Sequence, residues 1–275
     1  MITILGGKGF IGSHLATYFE KQNIEYWIPE KNDSSIFNKP LGNVIYCIGM
    51  TADFRSKTFE TVEAHVCYLS KVLKESNYES FIYLSSTRIY KCLSTNNTAN
   101  EDMNLSVNPN NEDEIYNISK LMGESLCLAQ KNKNVKIVRL SNVFGDDFKS
   151  ENFLTSIIKD IIKEKKLELN TTLSSSKDYI YIDDVVKLII KILFYGKKRV
   201  YNVASGINYS NEFIINEIKK HVDFICKVNN NAYEIIFPRI SIDNIKYEFD
   251  FEPIKIDEKI AEIISMFRVF LDLGN

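Results

Sequence analysis

A short run, residues 1–5, passes directly into Gly6-Gly7-Lys8-Gly9-Phe10-Ile11-Gly12 and then into an amphipathic stretch. No other feature restricts the fold as much. An apolar run too short for a helix and closed by glycine reads as a buried strand of a parallel sheet. Phe10, Ile11, Leu15, Tyr18 and Phe19 then recur at helical spacing over 10–21. Strand, glycine turn and helix in that order open a βαβ unit, which requires a parallel sheet with covered faces. The alternation continues, with strands expected over 25–29, 44–48, 81–85 and 135–140 and helices over 58–75 and 112–130. The fold class is α/β, a doubly wound parallel sheet of Rossmann type.

After Gly145 the pattern changes. Helices are expected over 153–164, 183–194, 211–221 and 257–271, and strands over 179–182 and 200–203. This suggests a dinucleotide-binding domain over 1–145, to which 178–205 returns. A small C-terminal α/β substrate-binding lobe would come from 146–177 and 206–275. The polar stretch 94–113, rich in Asn, Ser and Thr, is long for a loop inside a domain and is expected to border a functional site.

Bulk properties exclude several classes. Among 275 residues, 45% are hydrophobic and 25% charged, and the net charge is −2. Attraction to nucleic acid or membrane through bulk charge is not supported. The five cysteines are scattered without a CxxC pair, so neither a disulfide framework nor a metal site is expected. The N-terminus lacks the basic region of a signal peptide. The most apolar later stretch, 185–194, is broken by Lys187 and Lys191. A cytoplasmic protein is the expectation.

The glycine spacing satisfies both Gly7-x-Gly9-x-x-Gly12 and Gly6-x-x-Gly9-x-x-Gly12. Such a turn lets the backbone approach a pyrophosphate, which rests on the following helix N-terminus. Gly6, Gly9, Phe10, Ile11 and Gly12 are therefore candidate cofactor residues, with Ile48 at the end of a neighbouring strand. Glu30 ends the second strand, where a carboxylate would accept from the ribose hydroxyls of NAD. Lys31 and Lys8 would instead suit the 2′-phosphate of NADP. The expected cofactor is NAD or NADP.

Tyr116 and Lys120 stand four apart on an expected helix and so share a face. That spacing alone fits two surface residues equally well. It gains meaning from Ser85-Ser86 at the end of an apolar strand and from the glycine turn upstream. A lysine ammonium and a positive nicotinamide ring would both lower the pKa of Tyr116 toward a working range. Tyr116 would then exchange a proton with a substrate oxygen while hydride moves. Ser86 would hydrogen-bond the same oxygen, and Lys120 would also hold the nicotinamide ribose.

Together these residues resemble the extended short-chain dehydrogenase/reductase family, of the NAD-dependent epimerase/dehydratase type that modifies sugar nucleotides. Ser86-Thr87-Arg88-Ile89-Tyr90 resembles its Ser/Thr-x-x-Val-Tyr segment, which puts the catalytic hydroxyl on Ser86 rather than Ser85. Arg139 to Gly145 resembles its Arg-x-x-Asn-x-x-Gly strand end, and the resemblance implies that Asn142 faces a bound nucleotide sugar. Lys177 to Val186 resembles its Arg-Asp-Phe-Ile-x-Val-Asp-Asp-Val stretch, and 201–206 its Asn-Ile-Gly-x-Gly turn. The resemblance thus implies catalytic Ser86, Tyr116 and Lys120, and a substrate side of Ser86, Thr87, Arg88, Asn142, Lys177 and Arg239.

The departures carry information. The segment between Glu30 and Val44 is too short for the family's usual helix, strand and adenine contact. His65 replaces an asparagine and reads as a packed, hydrogen-bonded residue. Thr87-Arg88 replaces the acidic pair that serves water elimination in the 4,6-dehydratases, which argues against that reaction. Three readings follow: a ketoreductase acting at C4 of a nucleotide-linked keto-deoxysugar, a nucleotide-sugar epimerase with retained NAD, and a non-catalytic dinucleotide-binding sensor. The intact Ser86, Tyr116 and Lys120 weigh against the last. The resemblance also implies a homodimer that pairs the helices over 58–75 and 112–130.

Overall fold

A computed structural model describes residues 1–50, 53–148 and 150–272. The first half contains β1 (Ile2–Leu5), α1 (Phe10–Lys21), β2 (Tyr26–Trp27), β3 (Asn43–Tyr46), α2 (Thr58–Val62) and α3 (Tyr68–Glu75). It continues with β4 (Ser80–Ser86), β5 (Thr98–Ala99), α4 (Ile115–Leu128), β6 (Val135–Leu140) and β7 (Asn142–Phe144). Next come α5 (Phe153–Glu164), β8 (Lys166–Thr171), β9 (Ser176–Tyr181), α6 (Ile182–Tyr195) and β10 (Val200–Val203). The chain closes with β11 (Asn208–Ser210), α7 (Asn211–Lys219), β12 (Ile225–Tyr233), β13 (Arg239–Ile240), α8 (Asp243–Phe249) and α9 (Ile256–Asp272).

Six strands form a parallel sheet in the order β10-β6-β4-β3-β1-β2. Side chains alternate faces along each strand, so each strand feeds two cores. Ile82 and Leu84 of β4 join one core, with Leu15 and Phe19 of α1 and Val185 and Ile189 of α6. Phe81 and Tyr83 join the other, with Leu69 and Val72 of α3 and Cys127 of α4. Helices cover both faces, as near-continuous burial along the strands requires. The first core runs on without a break into the C-terminal elements, through Leu167 and Leu169 of β8 and Ile260 and Phe267 of α9.

Between β2 and β3 the chain makes only a 3-10 turn over Ser34–Phe37, capped by Asp33 on the Ser35 amide at 2.9 Å. Ile36 of that turn is buried in the second core. No strand intervenes, so the sheet ends at the two residues of β2.

The expected helix over 58–75 is interrupted by a π-turn at Glu63–Cys67. A π-turn displaces carbonyls from their ordinary helical partners. Here the Tyr46 hydroxyl donates to the Ala64 carbonyl at 2.6 Å, and the Tyr83 hydroxyl to that of His65 at 3.4 Å. Gly123 lets α4 lie against this turn: a Cβ there would stand 2.4 Å from the Tyr83 hydroxyl. Among the described residues, no helix is long and apolar enough to cross a membrane.

Candidate active site

The glycine turn is packed on its inner side and open on its outer side. Gly6 has φ +86°, and a Cβ there would lie 2.9 Å from the backbone of Cys47 and Ile48. A Cβ on Gly12 would lie 2.5 Å from the Gly6 carbonyl oxygen. A Cβ on Gly9 would meet nothing nearer than 3.4 Å, and Gly9 is exposed. Gly9 also begins α1 without a side-chain cap, and the first turn holds no acidic residue. The first amides of this helix, starting at Phe10 and Ile11, are thus left to an external acceptor. A dinucleotide pyrophosphate fits that cradle. At its rim Lys8 Nζ stands 2.5 Å from Glu30 Oε2, with both side chains 73% exposed, and Lys31 is exposed beside them.

The end of β4 meets the start of α4 at the second part of the site. The two adjacent serines diverge. Ser85 Oγ donates to Glu124 at 2.6 Å, whereas Ser86 Oγ accepts the Arg88 amide at 3.2 Å and lies on the side of the Tyr116 phenol, whose pKa it helps to lower. Tyr116 is 6% exposed and Lys120 5%. Lys120 Nζ lies 5.9 Å from the Tyr116 ring centre and donates to the Leu84 carbonyl at 2.9 Å.

The electrostatics correct one expectation. Burial raises the Tyr116 phenol above its ordinary value, and the nearby Ser86 hydroxyl and the Arg88 charge only partly oppose it. Lys120 is not among the groups that lower Tyr116 in the ligand-free chain, and burial pushes Lys120 itself down to about 7. In the ligand-free chain the phenol is the protonated partner.

His65 is fully buried beneath this pair. Ser119 Oγ gives its proton to the Tyr116 carbonyl at 2.9 Å, so His65 Nδ1 donates to Ser119 at 2.9 Å. Its Nε2 accepts the Met50 amide at 3.2 Å. Burial and the Lys120 charge hold its pKa down at about 2. His65 is therefore neutral and fixed in one tautomer, supporting the α4 backbone below the tyrosine.

Two residues were not legible as site residues. Phe54 packs on the Tyr116 ring at 5.2 Å between centres. Arg55 holds Asp113, just before α4, through two hydrogen bonds of 2.5 and 3.0 Å. Their only signal in the sequence was a position shortly after a strand end. Arg88 lies over both rings, its Cζ 5.1 Å from Phe54 and 5.9 Å from Tyr116.

The remaining candidates divide. Thr87 is buried beside Ser86. Asn142 is exposed at the start of β7 and donates to the Asp178 carbonyl at 2.7 Å. Lys177, on β9, is half-buried over Phe153 at 5.4 Å, and burial followed by the Arg88 charge lowers its pKa. Arg239 stands apart. It donates to the Gly206 carbonyl at 3.0 Å and lines a cavity of about 480 Å³ with Lys246 and Lys255. None of the other candidate residues lines that cavity.

Comparison with known proteins bears on the family and the fold. The chain is 28% identical over 260 residues to a dTDP-D-glucose 4,6-dehydratase of Dictyostelium discoideum, covering 76% of this chain and 59% of that protein. It is 27% identical to a dTDP-4-dehydro-6-deoxyglucose reductase of Escherichia coli, covering 76% and 67%. MoeE5 in complex with UDP-glucose and NAD shares the fold, with a TM-score of 0.82 at 16% identity, over 98% of this chain and 99% of that one. RMD from Pseudomonas aeruginosa, complexed with NADPH, gives 0.79 at 19%, over 98% and 100%. The match to a family model runs over residues 40–204, from the turn before β3 through the end of β10, and on that match the chain belongs to the NAD dependent epimerase/dehydratase family.

Proposed function

We propose that the chain is an NAD(P)-dependent oxidoreductase of a nucleotide-linked sugar, working as a ketoreductase at C4 of a keto-deoxysugar. The observation that carries this reading is the placement of Tyr116 between Ser86 and Lys120, with Thr87-Arg88 in place of an acidic pair. A reduced nicotinamide, when bound, supplies hydride. Glycine-turn amides would hold its pyrophosphate, and Lys120 its ribose. Ser86 would orient the substrate carbonyl, and Tyr116 would give that oxygen its proton. The raised pKa of Tyr116 suits this direction, because a reduction needs the phenol and not the phenolate. Lys120, near 7, supplies positive charge beside the phenolate that forms.

The open end of the sheet beyond β2 and the exposed Lys8–Glu30 pair support a cofactor that exchanges with solvent. An epimerase would use the same three residues but retain its dinucleotide through each cycle. Denaturing the purified protein and identifying released dinucleotide by mass spectrometry separates the two. Protein that is empty but binds added NADH or NADPH supports the reductase, whereas retained NAD replaces it with the epimerase.

A homodimer through the helices over 58–75 and 112–130 fits the exposure of Phe59, Met122 and Leu128 on them. A monomeric mass in light scattering would remove that part of the proposal.

A further inference from the structure

We propose that Arg88 recognises an anionic substituent on the reacting sugar itself, a carboxylate being the planar match for a guanidinium, so that the substrate is a nucleotide-linked acidic sugar. The inference rests on the nucleotide-sugar part of the reading above, and it puts an acidic sugar in place of the deoxysugar.

Three observations lead there. First, Arg88 Nε and Nη2 are buried and have no hydrogen-bond partner among the described residues. A desolvated cation left this way is costly, and native structures leave few such groups unless a ligand completes them. Burial and the nearby Arg55 accordingly pull its pKa below the ordinary guanidinium value.

Second, the neighbouring acids are already engaged. Asp113 takes both of its hydrogen bonds from Arg55, and Glu114 accepts Asn117 Nδ2 at 3.0 Å. Neither carboxylate hydrogen-bonds Arg88. The rings of Phe54 and Tyr116 lie against its guanidinium without offering an acceptor to its N–H edge. Stacking of this kind orients a guanidinium while leaving its fork to a planar anion.

Third, the position selects the sugar over the diphosphate. Arg88 follows Ser86 by two residues and lies against the ring of Tyr116, the two groups that meet the reacting oxygen. An anion that reaches Arg88 while its own ring meets Tyr116 belongs to the same hexose. Lys177, the second desolvated cation that senses Arg88, remains available for the diphosphate.

The test is calorimetric titration of the intact chain, loaded with NADH or NADPH, with UDP-glucuronate, UDP-glucose and UDP, and with the dTDP counterparts. The acidic sugar should bind about 10- to 100-fold more tightly than the neutral one. Arg88→Gln should erase that preference, and Arg88→Lys should restore part of it. Equal affinity of the unaltered chain for the acidic and neutral sugars would overturn the inference while leaving the nucleotide-sugar reading intact, and this comparison needs no variant. Equal weakening of both sugars and of the free nucleotide by Arg88→Gln would assign Arg88 to the diphosphate and also overturn it. Dinucleotide binding without binding of any nucleotide sugar would sink the parent reading, and this inference with it.

Discussion

Two arginines lie near the ends of adjacent strands, and their surroundings are opposite. Arg139 on β6 is 5% exposed and fully partnered. Its Nη2 meets Glu124 at 2.7 Å, its Nε meets the same carboxylate at 3.1 Å, and its Nη1 reaches the Tyr90 hydroxyl at 2.6 Å and the Glu101 carbonyl at 3.1 Å. Arg88, just after β4, has two buried nitrogens with no such partner among the described residues. The adjacent serines sort the same way, Ser85 to Glu124 and Ser86 to Tyr116. A satisfied buried cation ties α4 to the sheet. An unsatisfied one weakens the fold where a substrate would complete it.

The contrast can be broken at several points. The largest effect is expected from Tyr116→Phe, which should lower turnover by about 10²–10⁴-fold with dinucleotide affinity retained. Steady-state kinetics beside a fluorescence titration reads both, and undiminished turnover would remove Tyr116 from the chemistry. Arg139→Met should cost about 3–5 kcal/mol of unfolding free energy in denaturant, because it strands Glu124. A loss below about 1 kcal/mol would erase the distinction between the two arginines.

Gly123→Ala should cost about 1–3 kcal/mol in the same assay. The new Cβ would meet the Tyr83 hydroxyl and the His65 carbonyl, the latter at 2.8 Å. Lys120 adds a pH signature. It is half-deprotonated near 7 when folded, while an unfolded lysine keeps its proton to 10.5. The unfolded chain therefore binds more protons, and this contribution is full above 10.5 and lost as pH falls through 7. From pH 7 to 8 it should raise stability by about 1 kcal/mol, a slope that Lys120→Met should flatten. The smallest effect is expected from Arg88→Met: a change within about 1 kcal/mol, or a gain, since no partner is left behind. A loss as large as that of Arg139→Met would mean that Arg88 is paired after all.

Much of the fold was legible because it is local. The helix over 10–21 and the strand over 200–203 have the boundaries that their periodicity implies. The shortened connection between Glu30 and Val44 is visible as a sheet lacking one strand. The parallel pairs β8–β12 and β5–β13 were missed. The first joins segments nearly sixty residues apart, and Asn229-Asn230-Asn231 in β12 reads as loop by composition. The π-turn was missed because the partners of its displaced carbonyls, the hydroxyls of Tyr46 and Tyr83, come from neighbouring strands distant in sequence. Arg239 was a candidate on a family pattern, and β13, by pairing with β5, places it at a cavity that none of the other candidate residues lines.

By itself, the sequence determined what depends on spacing along the chain: the βα alternation, the glycine turn before α1, and Tyr116 and Lys120 one helical turn apart. Tertiary structure decided what depends on the arrival of distant segments. It determined that Ser86 lies on the Tyr116 side, that burial raises the phenol and lowers the lysine, and that Glu124 hydrogen-bonds Arg139 while no described acid hydrogen-bonds the buried Nε and Nη2 of Arg88. Periodicity is a property of neighbours in sequence, whereas desolvation and charge pairing are properties of neighbours in space.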